Sequence, residues 1–289
     1  MQTIKESKCL RAALSSEREK GRRIVLVPTM GHLHEGHLQL VRRAHEIGDI
    51  VVASLFVNPM QFGANEDFDT YPRTESEDQE MLKSENVHYL FMPEIGEMYP
   101  NGTKQHTKVE LTELGSVLCG ASRPVFFQGV CTVVCKLLNL VGPDAAVFGE
   151  KDFQQLTIIR RMASDLCMPI DIVGVPTART EDGLALSSRN SYLTDAERDT
   201  APLLYATLQA ARDRILQDNG TLNLQSLIDD AREELAGKGF DVDYIEIRHK
   251  SGLELAKDGD KPEELVIIAA AMLGKTRLID NLQVVSGGQ

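Results

Sequence analysis

Short apolar runs alternate with longer segments of helical spacing along the first two thirds of the chain. The run Ile24–Val27 is rich in β-branched residues and follows a polar turn, which is typical of a buried strand. From Gly36 the spacing becomes helical, with apolar residues at Leu38, Val41 and other turn-spaced positions as far as Gly48. Further strand-like runs lie in DIVVASLFVNP, VHYLFMP, DAAVFGEKD and IDIVGVPT, with helical segments between them. Strands separated by helices predict an α/β fold, a Rossmann-like doubly wound parallel sheet.

The pattern changes after about Thr177. Two helical segments, AERDTAPLLYATLQAARDRILQ and LQSLIDDAREELAG, precede two strand-like runs, VDYIEIRH and ELVIIAAAML. We therefore predict two domains, a Rossmann-like ligand-binding domain over residues 1–177 and a smaller C-terminal α+β domain over residues 178–289. In an open parallel sheet the ligand lies beyond the carboxyl ends of the strands, so the candidate site residues are sought there.

Composition narrows the classes of protein. The 289 residues are 42% hydrophobic, which is enough for real cores. No run approaches the roughly 18 apolar residues of a membrane helix, and the first residues lack the apolar centre of a signal peptide. We therefore expect a cytoplasmic protein with no membrane partner. The net charge of −12 argues against a general nucleic-acid surface, which needs an excess of Lys and Arg.

The five cysteines are an odd number without a close-spaced framework, so they are expected to be reduced thiols. Cys131 and Cys135 lie four positions apart in an apolar helical segment. This spacing favours core packing over a metal or redox pair.

The segment PTMGHLHEGH, residues 28–37, leads from the first predicted strand into the first helix. His34 and His37 therefore lie at a helix N-terminus, where unpaired N–H groups and the helix dipole favour phosphate. A zinc site is the alternative, because HxHxxH offers three ligands. It is weaker because no second ligand cluster completes the site and HExxH is absent. A simple capping role for one histidine stays open.

Two more strand ends carry polar residues. Gln61 in FVNPMQF suits a small polar substrate. The alternative is an ordinary loop glutamine without a role in binding. In FGEKDFQQ, Lys151 offers a charge for phosphate, Asp152 a ribose or loop contact, and Gln155 lies one helical turn beyond Lys151. A solvated helix start would look the same.

The segment GLALSSRN, residues 183–190, places two hydroxyls and an arginine after a glycine. Ser187, Ser188 and Arg189 are suited to wrapping phosphates, whereas a serine-rich turn before a helix starting near Thr194 is the alternative. The chain contains neither GxxxxGK[ST] nor GxGxxG, so any ATP site lacks both standard glycine loops.

These motifs together carry a resemblance. HEGH after the first strand of a parallel sheet resembles the HxGH signature of the nucleotidyl-transferring superfamily, and SSRN resembles its second phosphate loop. Within that superfamily PTMGHLHEGH, FVNPMQF, YPR, FGEKDFQQ and DGLALSSRN, in this order, resemble the pantothenate synthetase family, the pantoate and β-alanine ligases. The similarity runs from about residue 24 to residue 195.

The resemblance implies a reaction and its participants. ATP and pantoate would form pantoyl adenylate and pyrophosphate, and β-alanine would then displace AMP to give pantothenate. Magnesium on the phosphates and a homodimer are also implied. Two rivals stay open: a nucleotidylyltransferase, whose product keeps the nucleotide, and an inactive binding protein on this fold.

The resemblance also implies roles for single residues. His34, His37, Lys151 and Arg189 would be catalytic, Asn58, Gln61, Arg123 and Gln155 would bind pantoate or β-alanine, and Glu77 and Asp78 would hold the metal. The implied ATP-site residues are Met30, Gly31, His32, Leu33, His34, Glu35, Gly36, His37, Gly149, Glu150, Lys151, Asp152, Ala178, Leu186, Ser187, Ser188 and Arg189. The family usually has histidine where this chain has Phe126, arginine at Gln128 and a larger aliphatic residue at Ala178.

Overall fold

A computed structural model describes residues 1–63 and 66–285. Backbone contacts divide the chain into two compact units. The first comprises Met1–Glu150 and Ile158–Pro176, and the second comprises Lys151–Thr157 together with the described part of Thr177–Gln289. The boundary at residue 177 stays a prediction, and the last four residues of the predicted second domain lie outside the described residues.

The first unit alternates strands and helices. Its strands are β1 (Gln2–Ile4), β2 (Ile24–Thr29), β3 (Ile50–Leu55), β4 (Tyr89–Phe91), β5 (Ala145–Gly149) and β6 (Asp171–Val175). Its helices are α1 (Ser7–Glu19), α2 (Glu35–Ile47), α3 (Glu75–Ser84), α4 (Ile95–Met98), α5 (Cys119–Ser122) and α6 (Phe126–Val141), and α7 (Phe153–Asp165) begins among the residues of the second unit. Short 3₁₀ turns occupy Pro59–Gln61 and Glu150–Asp152.

The described strands of the first unit form one six-stranded sheet in the order β1-β4-β3-β2-β5-β6, and every pair is parallel. Strand β3 is buried along its whole length and β2 nearly so, which explains why both appear in the sequence as continuous apolar runs. The prediction of a doubly wound parallel sheet is confirmed. Strand β1 was not predicted, because three residues give too short a pattern.

The second unit contains α8 (Asp195–Thr200), α9 (Leu203–Leu216), α10 (Leu224–Gly237) and a described antiparallel sheet of β7 (Phe240–His249), β8 (Leu265–Leu273) and β9 (Thr276–Gln283). Its core joins apolar residues of α9 and α10 to the sheet. The small α+β unit that we predicted is confirmed, with β9 as an additional strand. The first predicted helix is divided at Ala201–Pro202, between α8 and α9.

Cys131 and Cys135 lie on α6, as their spacing predicts. Cys131 is fully buried, and burial raises the pKa of its thiol to about 12. Such a thiol stays protonated and behaves as a small apolar side chain. No helix in the described part of the chain is long and apolar enough to cross a membrane.

Candidate active site

The carboxyl ends of β3, β2 and β5 lie side by side at one edge of the parallel sheet, because these strands are neighbours. The segments that follow them carry the histidine motif, the Asn58–Gln61 turn and Gly149–Glu150. The structure therefore brings these three predicted segments to the same edge, where open α/β sheets bind their ligands.

The histidine motif turns sharply between β2 and α2. Gly31 and His32 have positive φ angles of 89° and 50°, so the backbone is left-handed at two successive positions. The chain then extends, with His34 as the N-cap residue and Glu35 as the first residue of α2. The prediction that His34 and His37 lie at a helix N-terminus is confirmed. The His37 N–H donates to the His34 carbonyl over 2.8 Å, and the preceding N–H groups, of Glu35 and Gly36, lie at the start of the helix, where the dipole is positive.

The two histidine rings of HEGH are packed together, with their centroids 4.1 Å apart. The backbone N–H of His34 donates to Nδ1 of His37 over 3.2 Å. Since that N–H is only a donor, Nδ1 must be the acceptor, and a neutral His37 ring carries its proton on Nε2. His37 is thereby arranged to donate a hydrogen bond from Nε2.

A buried hydrogen-bond chain fixes Gln61. The hydroxyl of Tyr99 donates to Oδ1 of Asn58 over 2.7 Å, and Nδ2 of Asn58 donates to the Gly129 carbonyl at 3.1 Å and to Oε1 of Gln61 at 3.2 Å. Nε2 of Gln61 donates to the sulfur of Met30 at 2.8 Å. Each end of the Gln61 amide thus has one partner and keeps capacity for one more. Sequence reasoning missed Tyr99.

Arg123 is held by a nearby carboxylate and an aromatic ring. Its Nε donates to Glu66 over 2.7 Å, a second guanidinium nitrogen pairs with the same carboxylate, and the Gln61 carbonyl accepts a further bond at 3.3 Å. Its guanidinium carbon lies 3.7 Å from the centroid of Phe126. Phe126, the residue that departs from the family pattern, therefore stacks on the guanidinium. Gln128, the second departure, donates to Glu110 over 3.2 Å.

Glu77 and Asp78 are neighbours on α3 with opposite surroundings. Glu77 is exposed, whereas Asp78 is only 1% exposed. The Asp78 carboxylate accepts the backbone N–H groups of His32 at 2.9 Å and Leu33 at 2.8 Å, and the Thr74 hydroxyl at 3.2 Å. No group of three or more potential metal ligands occurs within residues 1–63 and 66–285.

The remaining predicted site residues belong to the second unit. Lys151 and Ser187 line one cleft there, together with Asn190, Tyr205 and Asp280. The Lys151 carbonyl accepts from Asn281 over 2.8 Å, and its ammonium lies 3.8 Å from Asp152. Gln155 is half-buried in the first turn of α7.

The segment SSRN is ordered by its own turn. Ser187 caps a 3₁₀ turn over Ser188–Tyr192, with its hydroxyl accepting the Arg189 N–H at 3.3 Å. The Leu186 N–H donates to the Ala178 carbonyl over 2.9 Å. The structure therefore joins Ala178 to the start of this segment, and the serine-rich turn that we considered as an alternative is present.

The fold and the site define a class of protein, the α/β proteins in which HxGH connects a parallel strand to the N-terminus of a helix. Within that class, residues 2–283 match the family described as pantoate-beta-alanine ligase. The chain belongs to this ligase family.

Its relatives cover nearly the whole chain. A pantothenate synthetase of Pseudomonas putida (strain W619) is 54% identical over 98% of both chains, and one of Pseudomonas aeruginosa is 52% identical over 98% of this chain and 99% of the relative. The crystal structure of a pantothenate synthetase from Thermus thermophilus has a TM-score of 0.91 at 44% identity, covering 99% of this chain and 100% of that one. A pantoate-beta-alanine ligase from Francisella tularensis, complexed with beta-gamma ATP and beta-alanine, has a TM-score of 0.80 at 34% identity over 99% of both chains.

Proposed function

We propose that this protein joins pantoate to β-alanine with ATP, through a pantoyl adenylate. A carboxylate oxygen of pantoate attacks the α-phosphorus of ATP, and pyrophosphate leaves. The β-alanine nitrogen then attacks the acyl carbon, AMP leaves, and the nitrogen loses a proton to give pantothenate. Membership of the pantoate-beta-alanine ligase family over residues 2–283 carries this proposal. The relative solved with an ATP compound and β-alanine supports the choice of substrates.

The first step needs charge stabilisation rather than a base. Pantoate is already ionised at neutral pH, since ordinary carboxyl pKa values lie near about 4. The barrier lies in bringing two anions together, and each well-placed donor to the developing charge is worth about 2.7 to 4 kcal/mol. His37 suits this work, because its Nδ1 accepts the His34 N–H and a neutral ring then carries its proton on Nε2. We assign His34, His37, Lys151 and Arg189 to stabilisation of phosphate charge.

The remaining residues bind and orient the substrates. We propose that the amides of Gln61 and Gln155 contact pantoate, with Asn58 holding Gln61 and Arg123 meeting a substrate carboxylate. The proposed ATP site combines residues 30–37, 149–152, 178 and 186–189. For the second step β-alanine must attack as the neutral amine, and proton transfer by His37 is a secondary role.

Magnesium enters this proposal with ATP, because Mg²⁺ is commonly bound through substrate phosphates and retained waters with one or two carboxylates. The described residues around Glu77 and Asp78 do not fit a dedicated magnesium site, because the buried Asp78 carboxylate already accepts two backbone N–H groups. Their role as metal ligands stays a prediction, and the contacts of Asp78 favour a different role.

Product analysis tests the proposal. With ATP, magnesium, pantoate and β-alanine, we expect pantothenate and AMP in equal amounts, and neither product when pantoate is left out. A product that retains the nucleotide when β-alanine is present would support the nucleotidylyltransferase instead, and no turnover would support the binding protein. We also propose that the protein is cytoplasmic. A further proposal is that it forms a homodimer, for which light scattering should give twice the mass of one chain.

A further inference from the structure

We propose that Asp78 is a positioning residue that holds the histidine loop in its active shape, rather than a ligand of magnesium. This inference deepens the proposed ligase function and rests on it for its catalytic consequence. The anchoring itself is a property of the protein without substrates, so it is tested separately.

The backbone of the histidine loop forms an anion-binding site, and the Asp78 carboxylate is the anion bound there. Oδ2 accepts the His32 N–H at 2.9 Å and Oδ1 accepts the Leu33 N–H at 2.8 Å. Two successive left-handed residues, Gly31 and His32, direct neighbouring N–H groups to one side of the loop, as in the backbone concavities that bind anions. Asp78 lies in the first turn of α3 and is almost completely buried.

The close approach of Gly31 ties the loop to this carboxylate. A Cβ atom at Gly31 would lie 3.0 Å from Oδ2 of Asp78 and 3.2 Å from a side-chain carbon of Leu55. The φ angle of 89° favours glycine at this position, and a larger side chain would also press on Asp78 and Leu55. The absence of a side chain at Gly31 thus lets the loop lie close to the Asp78 carboxylate.

The carboxylate has little capacity left for a metal. Thr74 donates a third hydrogen bond, to Oδ1 at 3.2 Å, so the buried charge is already satisfied by three donors. Coordination of Mg²⁺ requires oxygens at about 2.0 to 2.1 Å in octahedral geometry. A magnesium ion here would compete with the His32 N–H at Oδ2 or with the Leu33 and Thr74 donors at Oδ1, and would thereby weaken the hold on the loop.

This arrangement also assigns the donors that remain for phosphate. The N–H groups of His32 and Leu33 are committed to Asp78. The groups assigned to phosphate are therefore the side chains of His34 and His37 and the N–H groups of Glu35 and Gly36 at the start of α2. Asp78 acts on catalysis only through the position of these groups.

The test compares Asp78→Asn with Glu77→Gln, its exposed neighbour on the same helix. Asparagine keeps the size of aspartate but has only one acceptor oxygen, so one loop N–H loses its partner. We expect amide exchange at His32 or Leu33 to accelerate at least about tenfold in substrate-free Asp78→Asn, and to be unchanged in Glu77→Gln. Unchanged exchange at both amides in Asp78→Asn would overturn the anchor.

Kinetics separate positioning from metal binding. For Asp78→Asn we expect kcat/KM for ATP in pyrophosphate exchange to fall at least about tenfold, measured well below its unfolding temperature. The magnesium concentration for half-maximal activity should stay as in the parent at saturating ATP. A rise of that concentration in Asp78→Asn would overturn the proposal in favour of a metal ligand, and kcat/KM equal to the parent would overturn the positioning role.

A milder variant covers the case in which Asp78→Asn does not fold. Thr74→Val keeps the shape of the side chain and removes only the hydroxyl that donates to Asp78. We expect a smaller acceleration of exchange at Leu33, because the carboxylate loses the Thr74 contact that helps to fix Oδ1 in place, and an unchanged magnesium requirement. No change at Leu33 together with a higher magnesium requirement would contradict the anchor.

Discussion

His37 has its ring orientation set by the backbone of its own helix. The His34 N–H donates to Nδ1, so a neutral ring carries its proton on Nε2. This residue is therefore a donor first, and its value in the proposed reaction lies in stabilising charge on the phosphates.

Variants of His37 separate its two nitrogens. An asparagine amide reaches the position of Nδ1, so His37→Asn keeps an acceptor for the His34 N–H and loses the Nε2 donor. We expect kcat for adenylate formation to fall by about 10²–10³ with an unchanged unfolding midpoint. His37→Gln, whose amide reaches the Nε2 position, should retain more activity. Equal activity of parent and His37→Asn would remove His37 from the catalytic set.

Tyr99 supports the proposed pantoate site through Asn58, which in turn contacts Gln61. Burial raises the pKa of its phenol, so the hydroxyl stays protonated and donates to Asn58 throughout the physiological range. Tyr99→Phe should lower the free energy of unfolding by about 1–3 kcal/mol, because Asn58 loses a buried partner. We also expect a higher KM for pantoate, measured at saturating ATP.

Tyr89→Phe is the matched control for this prediction. It also removes a hydroxyl, which donates to Glu17 over 3.2 Å at a part-buried position. Its KM for pantoate should equal that of the parent. An equal change of KM in both variants would show that Tyr99 has no special connection to Gln61.

At the scale of elements, α6 and the Pro59–Gln61 turn are in direct backbone contact. A Cβ atom at Gly129 would lie 2.2 Å from the Met60 carbonyl oxygen and 2.7 Å from the Gln61 nitrogen. Both are backbone atoms, so neither can rotate away. Gly129 therefore sets how closely the helix supports the turn that carries Gln61.

Gly129→Ala should displace this turn. We expect the free energy of unfolding to fall by about 1–3 kcal/mol, as for other overpacked sites, and KM for pantoate to rise. Gly237→Ala, in α10, is the control, because its added Cβ meets no atom within 4 Å. Urea unfolding and initial rates measure both effects. A Gly129→Ala protein with parental stability and KM would contradict the close packing.

His88, next to the start of β4, has a pKa below the ordinary histidine value. Val51 donates its N–H to Nδ1 of His88 at 3.1 Å, and burial, with a smaller contribution from the charge of His45, lowers the pKa of His88. The folded state thus binds the proton less well than the unfolded chain, whose histidine pKa is about 6.5.

The free energy of unfolding should therefore not depend on His88 above about pH 6.5. It should decrease as the pH falls below that value, because the unfolded chain then binds the proton more readily. His88→Asn keeps an acceptor for Val51 and has no titrating ring, so it should flatten this pH dependence. Urea unfolding at neutral and mildly acidic pH measures the slope. An identical slope in parent and variant would assign the effect to other groups.

Over the whole molecule, the features that could be predicted from the sequence are those with a local pattern of apolar and polar residues. The change from strand to helical spacing placed His34 at the start of α2, and continuous apolar runs indicated the buried parallel strands. Strand β9 was not predicted, because it contains two polar residues, Asp280 and Asn281, which are buried in the structure. Arg179 donates to both oxygens of Asp280, at 2.6 and 2.8 Å, and this distant partner makes a buried carboxylate tolerable.

The parts of the candidate site that depend on distant contacts were not predictable. Tyr99 meets Asn58 across 41 positions, and Asp78 meets His32 across 46, with no local pattern that connects either pair. The sequence indicated Asp78 as a residue of interest through its family resemblance. Only the three-dimensional contacts show that its carboxylate is committed to the histidine loop.

Formation of an acyl adenylate from pantoate is the step that the proposed ligase must perform first. The most direct measurement is exchange of labelled pyrophosphate into ATP by the purified protein with magnesium and without β-alanine. We predict exchange that depends strictly on pantoate and falls by about 10²–10³ in Lys151→Ala, a folded variant without the proposed phosphate charge. Absence of pantoate-dependent exchange in the parent protein would contradict the formation of a pantoyl adenylate by this chain.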